Sequence, residues 1–243
     1  MQKISDEVKN LVIVGASGHG GMVLDCISKQ GQYKVLGFVD SFKKKGTQHN
    51  GLDVLGSELD LQWLIEKLDI QAAILAIGNN WTRKKMADKI DNIAPDLDIV
   101  TAIHPSATIG RDVKIGKGTV IMPGAIVNAN SIMGEFSILN TNSSLGHNGT
   151  MQDFSSIASG VCTGGNLVLG RFSAISLGAN VIENITIGEH SLVGAGSLVI
   201  DDIEGHSVVY GSPARFVRGR KTGDPYLRGD RNYREHPVFP FKR

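Results

Sequence analysis

The sequence is poor in the features that mark several common classes of protein. Its two cysteines, Cys26 and Cys162, lie too far apart for a CxxC motif and predict neither a disulfide framework nor a zinc knuckle. No run of eighteen apolar residues occurs, and the opening MQKISDEVKN does not resemble a signal peptide. We therefore expect a cytoplasmic protein with no membrane span. The net charge of +1 argues against a nucleic-acid partner.

The first hundred residues alternate short apolar runs with stretches of helical periodicity. Such alternation predicts an α/β domain with a parallel sheet of Rossmann type, over residues 1–101. Capping and helix-breaking residues set the limits of the helices: Gly31 follows the first, Ser57 caps the second and Pro95 ends the third. The strands are predicted at 11–14, 33–39 and 72–77, and the helices at 22–30, 57–68 and 81–92.

A glycine-rich turn, GASGHGG at residues 15–21, joins the first strand to the first helix. Backbone N–H groups at such a helix N-terminus can bind phosphate. The spacing G-x-x-G-x-G is not the G-x-G-x-x-G of dinucleotide enzymes, and no GK[ST] follows, which excludes a nucleotide-hydrolysing P-loop. Asp40 and Gly78 end the next two strands at the same sheet edge, so we predict a nucleotide there. Tight turns in a purely structural domain are the alternative.

A repeat of six residues organises the chain from residue 103 to residue 199. Neither an α-helix nor a single strand has this period, but a parallel β-solenoid of short strands does. The repeated residue points into the narrow core, and a small residue two places earlier shares the interior. Only Thr163 is not a large apolar residue among the repeated positions, which are Ile103, Ile109, Ile115, Ile121, Val127, Met133, Leu139, Leu145, Met151, Ile157, Thr163, Leu169, Ile175, Val181, Ile187, Val193 and Val199.

His147 takes the third place of its repeat, a place that should face outward from the coil. A three-sided coil uses eighteen residues per turn, so Gly165 should lie on the next rung, roughly 4.8 Å away. Because the apolar register lapses at Thr163, we expect exposed backbone N–H groups beside Gly165. A base next to a free amide donor is what acyl transfer requires, although a lone outward histidine is more often plain solvated surface.

The same arithmetic stacks Leu177 and Ala195 one turn apart on another face, where they should form a groove wall along the coil. Cys162 directly precedes the core position of Thr163. We interpret Cys162 as a packing residue and not as a nucleophile.

These motifs together resemble a known family, the left-handed β-helix hexapeptide acyltransferases. More narrowly, the chain is similar to bacterial sugar acetyltransferases that include bacillosamine and perosamine N-acetyltransferases and sialic acid O-acetyltransferases. The likeness covers about residues 10 to 220 and rests on VGASGHGG, LAIGNN, ILNTNSSLGHN, the six-residue repeat and GSPAR. The resemblance implies a left-handed parallel β-helix over residues 102–220.

The resemblance also implies an activity, which is acetyl transfer from acetyl-CoA, without a metal, to a nucleotide-linked amino sugar. The expected assembly is a homotrimer with three active sites between neighbouring coils. The general base falls on His147, oriented by residue 148, and the oxyanion-binding amide falls on Gly165. The remaining family contacts fall, for acetyl-CoA, on Ser156, Gly165, Leu177 and Ala195 and, for the nucleotide sugar, on Ser17, Gly18, His19, Asp40, Gly78 and Asn140.

Two residues depart from the family pattern. The residue after the base is commonly Asp or Glu but is Asn148 here, and an amide cannot stabilise imidazolium by charge. A second family histidine, near the thiol end of CoA, is replaced by Ser156. The first departure favours an amine acceptor, because a neutral amine needs less activation than a hydroxyl.

Four alternatives stay open. O-acetylation of a sugar or of sialic acid is the nearest, and a non-catalytic trimeric scaffold is another. An NAD-dependent dehydrogenase is suggested by the N-terminal domain alone. A zinc carbonic anhydrase needs convergent histidines, yet His147 and His190 are 43 residues apart, which is not a multiple of eighteen. The tail at 221–243 is predicted either to pack on a neighbouring subunit or to stay mobile.

Overall fold

The computed structural model describes residues 8–227, so only residues 221–227 of the predicted tail can be placed. The first part of the chain is a six-stranded sheet flanked by helices, in the strand order β3-β4-β2-β1-β5-β6. All neighbours pair in parallel except β3 and β4. The strands are β1 (Lys9–Val14), β2 (Tyr33–Val39), β3 (Gln48–His49), β4 (Leu52–Gly56), β5 (Ala72–Leu75) and β6 (Asp98–Ile99), and the helices are α1 (Gly18–Gln30), α2 (Leu61–Leu68) and α3 (Asn80–Ile93).

Local residues explain where the helices begin and end. The Ser17 side chain accepts a hydrogen bond from Gly20 N–H at the start of α1, and Gly31 ends that helix with φ at 75°. Asn79 caps α3 in the same way, accepting from Thr82 N–H. The second helix differs from the prediction, because residues after Ser57 first form a 3₁₀ turn and α2 begins at Leu61.

The hairpin of β3 and β4 was not predicted from the sequence. Its β4 adds a parallel strand to the edge of the sheet beside β2, and β3 folds back onto β4. The strands are short, and Asn50 and Gly51, both at positive φ, turn the chain between them.

The second part of the chain is the coil that the six-residue period predicts. The sheet ends at Ile99 and the coil begins at Ala102. Every one of the seventeen repeated residues is the second of a two-residue strand. The strands pair in parallel eighteen residues apart, as Val120 does with Ile138. The strands are β7 (Ala102–Ile103), β8 (Thr108–Ile109), β9 (Lys114–Ile115), β10 (Val120–Ile121), β11 (Ile126–Val127), β12 (Ile132–Met133), β13 (Ile138–Leu139), β14 (Ser144–Leu145), β15 (Thr150–Met151), β16 (Ser156–Ile157), β17 (Cys162–Thr163), β18 (Val168–Leu169), β19 (Ala174–Ile175), β20 (Asn180–Val181), β21 (Thr186–Ile187), β22 (Leu192–Val193) and β23 (Leu198–Val199).

These strands form the three faces of a prism, a left-handed β-helix. Face 1 contains β7 and every third strand up to β22, face 2 runs from β8 to β23, and face 3 runs from β9 to β21. The repeated aliphatic side chains fill the interior as one continuous core. Small hydroxyl residues share it, as predicted: Ser131 is fully buried and its hydroxyl donates to the Gly146 carbonyl at 2.9 Å.

Three edges join the faces, and each has its own residue type at the position three places after the aliphatic residue. This position has positive φ, a conformation that costs a non-glycine residue free energy. The glycine edge, between faces 1 and 2, has Gly124, Asn142, Gly160, Gly178 and Gly196. The asparagine edge, between faces 2 and 3, has Asp112, Asn130, Asn148, Asn166 and Asn184. The aromatic edge, between faces 3 and 1, has Gly118, Phe136, Phe154, Phe172 and His190.

The coil continues beyond the last recognisable repeat. Val208 of β24 (Ser207–Gly211) pairs with Leu192, a spacing of 16 instead of eighteen, which hides this rung from a search at period six. The antiparallel strand β25 (Ala214–Gly219) then folds back on β24 and covers the end of the prism.

Candidate active site

His147 and Gly165 lie together on the asparagine edge. Asn166 N–H donates to the His147 carbonyl at 2.8 Å, which fixes the two rungs in the expected register. The imidazole lies across Gly165: a Cβ atom there would come within 2.4 Å of both Cε1 and Nε2 of the ring. His147 is exposed, whereas Gly165 is buried beneath the ring. Only glycine at 165 therefore lets the ring lie in this place.

Thr163 changes the hydrogen bonding of the rung that carries this pair. Elsewhere on the same edge the amide after the aliphatic residue donates to a backbone carbonyl, as Gly164 N–H does to Val181 at 2.8 Å. At the site, Gly146 N–H instead donates to the Thr163 hydroxyl at 3.1 Å, and that hydroxyl donates to the Ser144 carbonyl at 3.1 Å. Thr163 thus has a structural reason to replace an aliphatic residue in the repeat. Its hydroxyl, instead of a backbone carbonyl, accepts the hydrogen bond from the amide next to His147.

The amide of Gly165 is available as a donor. Its carbonyl accepts from Asn184 N–H at 2.8 Å, but its N–H has no acceptor among residues 8–227. An oxyanion formed beside the imidazole would give this N–H an acceptor. The arrangement provides a base and an oxyanion donor side by side, as acyl transfer needs.

Asn148 is in contact with the base. Its Nδ2 atom lies 2.9 Å from His147 Nδ1. The nitrogen and the oxygen of the Asn148 amide can exchange places by a half-turn of the group, and the hydrogen-bond network decides which of them faces the ring. With the oxygen facing the ring, Asn148 accepts a hydrogen bond from Nδ1–H and leaves Nε2 free to act as a base. Asn148 also occupies the positive-φ position, with φ at 56°, which the other members of the asparagine edge share.

The interpretation of Cys162 as a packing residue is wrong. Its side chain is exposed, and the Ser144 hydroxyl lies 3.5 Å from its sulfur. The physical reason is the alternation of side chains along a strand. Thr163 points into the prism, so the residue before it points out from face 2.

The predicted acetyl-CoA contacts lie on different parts of the prism. Leu177 and Ala195 are both exposed on the glycine edge, one turn apart, with Gly196 N–H donating to the Leu177 carbonyl at 2.9 Å. Asn140 lies on the same edge two turns earlier. Within one chain this edge is separated from His147 by the whole width of face 2.

Ser156 lies on face 1, which is covered. It is 9% exposed, and its hydroxyl is 3.3 Å from the hydroxyl of Tyr226, in the segment that follows the last strand. The structure therefore does not bring Ser156 to the edge where Leu177 and Ala195 lie.

A cavity of about 940 Å³ opens at the carboxyl ends of β1, β2 and β5, where the nucleotide is predicted. Four of the six predicted substrate residues, Ser17, Gly18, Asp40 and Gly78, line it. The Asp40 carboxylate accepts hydrogen bonds from the backbone N–H groups of Ala16, Phe42 and Lys43, at 2.7, 2.7 and 3.1 Å. Asp40 therefore holds the glycine-rich turn in shape, whatever else it contacts.

Three lysines, Lys43, Lys85 and Lys89, also line this cavity. Lys89 pairs with Glu58, a buried carboxylate in the cavity wall that also accepts from the Ser41 hydroxyl. Burial works to raise the pKa of Glu58, but the hydrogen bonds from Lys89 and Ser41 outweigh it and hold that pKa below its usual value. Lys43 and Lys85 have no carboxylate partner within residues 8–227, so the cavity offers uncompensated positive charge to an anion.

His19 lies behind the cavity and does not line it. Burial, and then the nearby charge of Arg83, lower the pKa of His19 to about 4. Its Nε2 atom is buried and has no hydrogen-bond partner among residues 8–227. In this structure His19 is a neutral interior side chain and not an exposed substrate contact.

Arg83, which was not singled out in the sequence, links the wall of this cavity to the coil. It is fully buried, and its guanidinium donates to the carbonyls of Ile77 and Gly78 and, across the junction, to that of Phe136, at 2.7, 3.1 and 2.8 Å. Burial lowers its pKa to about 10. The sequence does indicate that Arg83 is buried, because it falls on the face of α3 that also carries Met86 and Ile90.

The described residues offer no sign of two other kinds of site. Between residues 8 and 227 no three His, Cys, Asp or Glu side chains are grouped so as to hold a metal ion. In the same range no helix has the length and apolar content needed to cross a membrane.

A prism built from six-residue repeats places the chain among the hexapeptide-repeat transferases. Two family models match the sequence: the PglD N-terminal domain over residues 10–90 and the bacterial transferase hexapeptide over residues 106–141. The first model covers most of the N-terminal sheet and its helices, and the second covers the first turns of the coil.

Solved structures extend the likeness over both parts of the chain. The acetyltransferase domain of PglB from Neisseria gonorrhoeae, solved with acetyl coenzyme A, is 30% identical, with a TM-score of 0.78 over 86% of this chain and 99% of that one. PerB from Caulobacter crescentus, solved with CoA and GDP-perosamine, is 29% identical, with a TM-score of 0.81 over 87% and 98%. The chain belongs to this family of PglD-type sugar acetyltransferases.

A curated relative matches over a shorter stretch. UDP-N-acetylbacillosamine N-acetyltransferase of Bacillus subtilis is 32% identical over 115 residues. That match spans 47% of this chain and about half, 51%, of the relative's length.

Proposed function

We propose that this protein transfers the acetyl group of acetyl-CoA to the amine of a nucleotide-linked amino deoxysugar. The observation that carries the proposal is that the exposed imidazole of His147 lies directly over Gly165, whose N–H has no acceptor among residues 8–227. The relatives support the choice of substrates, because solved structures hold CoA together with GDP-perosamine, or acetyl-CoA. No metal takes part.

The transfer is direct, within a complex of both substrates. The amine nitrogen attacks the thioester carbonyl carbon, and a C–N bond forms. His147 Nε2 accepts the proton that the nitrogen loses, and Gly165 N–H donates to the oxyanion of the tetrahedral intermediate. When the intermediate collapses, the C–S bond breaks and the imidazolium returns the proton to the CoA thiolate. Asn148 orients the ring through Nδ1.

The positions of the acetyl-CoA contacts support a homotrimer. Leu177 and Ala195 lie on the glycine edge and His147 on the asparagine edge, so within one coil face 2 separates them. In a trimer of parallel prisms, the glycine edge of one coil meets the asparagine edge of the next. Leu177 is 61% exposed and Ile126, on face 2 between these edges, is 41% exposed, as expected for surfaces that are covered on association.

The acceptor reaches this cleft from the N-terminal domain. A second cavity of about 400 Å³ shares Gly18 and His49 with the nucleotide cavity and extends to Pro123, on the glycine edge. The nucleotide occupies the larger cavity, where Ser17, Gly18, Asp40 and Gly78 contact it, and the sugar lies along this path towards Asn140. A direct contact by His19 or Ser156 requires rearrangement, since both are covered here.

A panel of nucleotide-linked sugars tests the proposal. Each UDP-, GDP- and dTDP-linked amino deoxysugar is incubated with acetyl-CoA and the protein, and free thiol and acetylated product are measured. We expect thiol release with at least one amino sugar and none with the matching hydroxy sugar. Release with the hydroxy sugar alone would make the enzyme an O-acetyltransferase, and release with none would leave a scaffold.

Two further consequences follow from the proposal. Direct transfer requires Cys162→Ser to keep full turnover, and a loss of turnover with accumulation of acetylated protein in the unaltered enzyme would indicate a covalent intermediate. A cytoplasmic location stays a prediction from the sequence.

A further inference from the structure

The segment after the last strand of the coil turns back over face 1 and meets the nucleotide-binding domain. The ring of Tyr226 packs on the outward side chains Ala174, Leu192 and Val208 of face 1. The guanidinium of Arg220 lies 5.3 Å from the centre of that ring. We call residues 221–227 the C-terminal strap.

The hydroxyl of Tyr226 sits at a three-way junction. It donates to the Gly78 carbonyl at 3.2 Å and accepts from Asn80 N–H at 3.3 Å. It also accepts from the Ser156 hydroxyl of the coil, at 3.3 Å, because its own proton is already donated to Gly78. One donated and two accepted bonds are the full capacity of a phenol. Burial raises the pKa of Tyr226, so it remains a neutral donor.

The rest of the strap presses on the same loop. Leu227 Cδ1 lies 3.3 Å from where a Cβ of Gly78 would be, and Gly223 packs against the indole of Trp81. Asn80 itself donates from Nδ2 to the Ser173 carbonyl of the coil at 3.0 Å. The loop between β5 and α3, whose Ala76, Ile77 and Gly78 line the nucleotide cavity, is therefore held from the strap side as well as by Arg83.

We infer that Tyr226 is a positioning residue for the nucleotide sugar: through Gly78 and Asn80 it holds the loop in the shape that binds the acceptor. The inference rests on the proposed function for the identity of the acceptor. It extends the acceptor site to a residue that does not touch the substrate and that lies outside the two matched family models. It predicts an effect on the acceptor and none on acetyl-CoA.

The test compares Tyr226→Phe, which removes only the hydroxyl, with Tyr210→Phe. Tyr210 is 47% exposed and serves as the matched control. With the best acceptor of the panel, we expect Tyr226→Phe to raise the KM for the acceptor about ten-fold, as the loss of a hydrogen bond to a buried group does. The kcat and the KM for acetyl-CoA should stay within about two-fold of the unaltered enzyme.

A second measurement needs no substrate. Hydrogen exchange of the peptide containing residues 78–82 should be faster in Tyr226→Phe than in Tyr210→Phe, because Asn80 N–H loses its acceptor. Faster exchange with an unchanged acceptor KM would overturn the positioning role, and so would an equal rise in the KM for both substrates. In either case the acetyl transfer of the unaltered enzyme would stand, so failure of the inference is distinct from failure of the proposed function.

Discussion

Two edges of the same prism carry the same backbone conformation and opposite kinds of side chain. On the aromatic edge, Phe136, Phe154 and Phe172 stack with ring centroids 4.9 and 5.6 Å apart, and the stack continues through His190. On the asparagine edge, all five residues at the equivalent position are exposed. The aromatic edge is buried against the N-terminal domain, while the asparagine edge faces outward.

The aromatic edge stabilises the fold by packing, whereas the asparagine edge leaves its side chains exposed. Each positive-φ residue costs about 1–2 kcal/mol, and stacking returns about 0.5–1.5 kcal/mol per aromatic pair beyond area burial. Asparagine instead tolerates the conformation, and it leaves the edge open. His147, the proposed base, lies on this open edge.

The largest expected effect is the loss of the base itself. We expect His147→Ala to reduce kcat by roughly 10²–10⁴ and to leave the unfolding temperature unchanged, because the ring is exposed. His206→Ala, which removes a histidine stacked at the end of the aromatic edge, is the control and should keep its turnover. Near-normal turnover of His147→Ala in steady-state assays would remove His147 from the mechanism.

The reverse pattern is expected on the aromatic edge. Phe154 is 7% exposed and lies between two other rings, so Phe154→Ala should lower the free energy of unfolding by about 3–5 kcal/mol. Turnover per folded molecule should be unchanged. Asn166→Ala, at the equivalent position of the asparagine edge, is the matched control. If denaturant unfolding showed equal losses in both variants, the proposed division between the edges would be incorrect.

The period of six predicts the prism and the place of His147, but not the edges. At a period of six residues all turns of the repeat look alike. The three edges can be told apart only when residues eighteen positions apart, one full turn of the coil, are compared. At that spacing Phe136, Phe154 and Phe172 form one series and Asn130, Asn148, Asn166 and Asn184 another.

The junction between the two parts of the chain could not be derived in this way. Arg83 and Tyr226 are single residues, 143 positions apart in the chain, and no period relates them to the coil. Their role depends on how the N-terminal domain packs on face 1, which is tertiary information. Ser156 shows the same limit, because its position in the repeat predicts that it points outward but not that Tyr226 covers it.

Gly165→Ala tests whether the chemistry depends on close contact within the asparagine edge. The added methyl would lie 2.4 Å from the imidazole and must displace it. A shift of the base of about 1 Å costs about 10² in rate, so we expect a kcat near one per cent of normal. Gly219→Ala, where an added Cβ meets nothing within 4 Å, is the control. A fully active Gly165→Ala enzyme would show that the observed contact is not needed for turnover.

A smaller effect, in the opposite direction, is expected from Asn148→Asp. A carboxylate can only accept a hydrogen bond from the ring, so it fixes the proton on Nδ1 and stabilises the imidazolium that forms during transfer. We expect kcat/KM to rise several-fold. Asn166→Asp places the same charge one rung away without contact to the ring and should change little. A fall in kcat/KM with Asp at 148 would mean that the amide's donor face is the one the reaction uses.

The smallest expected effect is a pH dependence of stability that comes from His190 on the aromatic edge. Burial, and then the charge of His206, lower the pKa of His190, while Glu189 raises it and Arg220 lowers it further. A histidine whose pKa is lower in the folded than in the unfolded protein contributes stability above its unfolded value of 6.5, and this is lost as the pH falls towards the folded value. The unfolding temperature should therefore drop below pH 6.5, and His190→Phe, which extends the run of phenylalanines, should lessen that drop. If the variant and the unaltered protein lost stability in parallel, the acid sensitivity would lie elsewhere and His190 would act in the stack only as a ring.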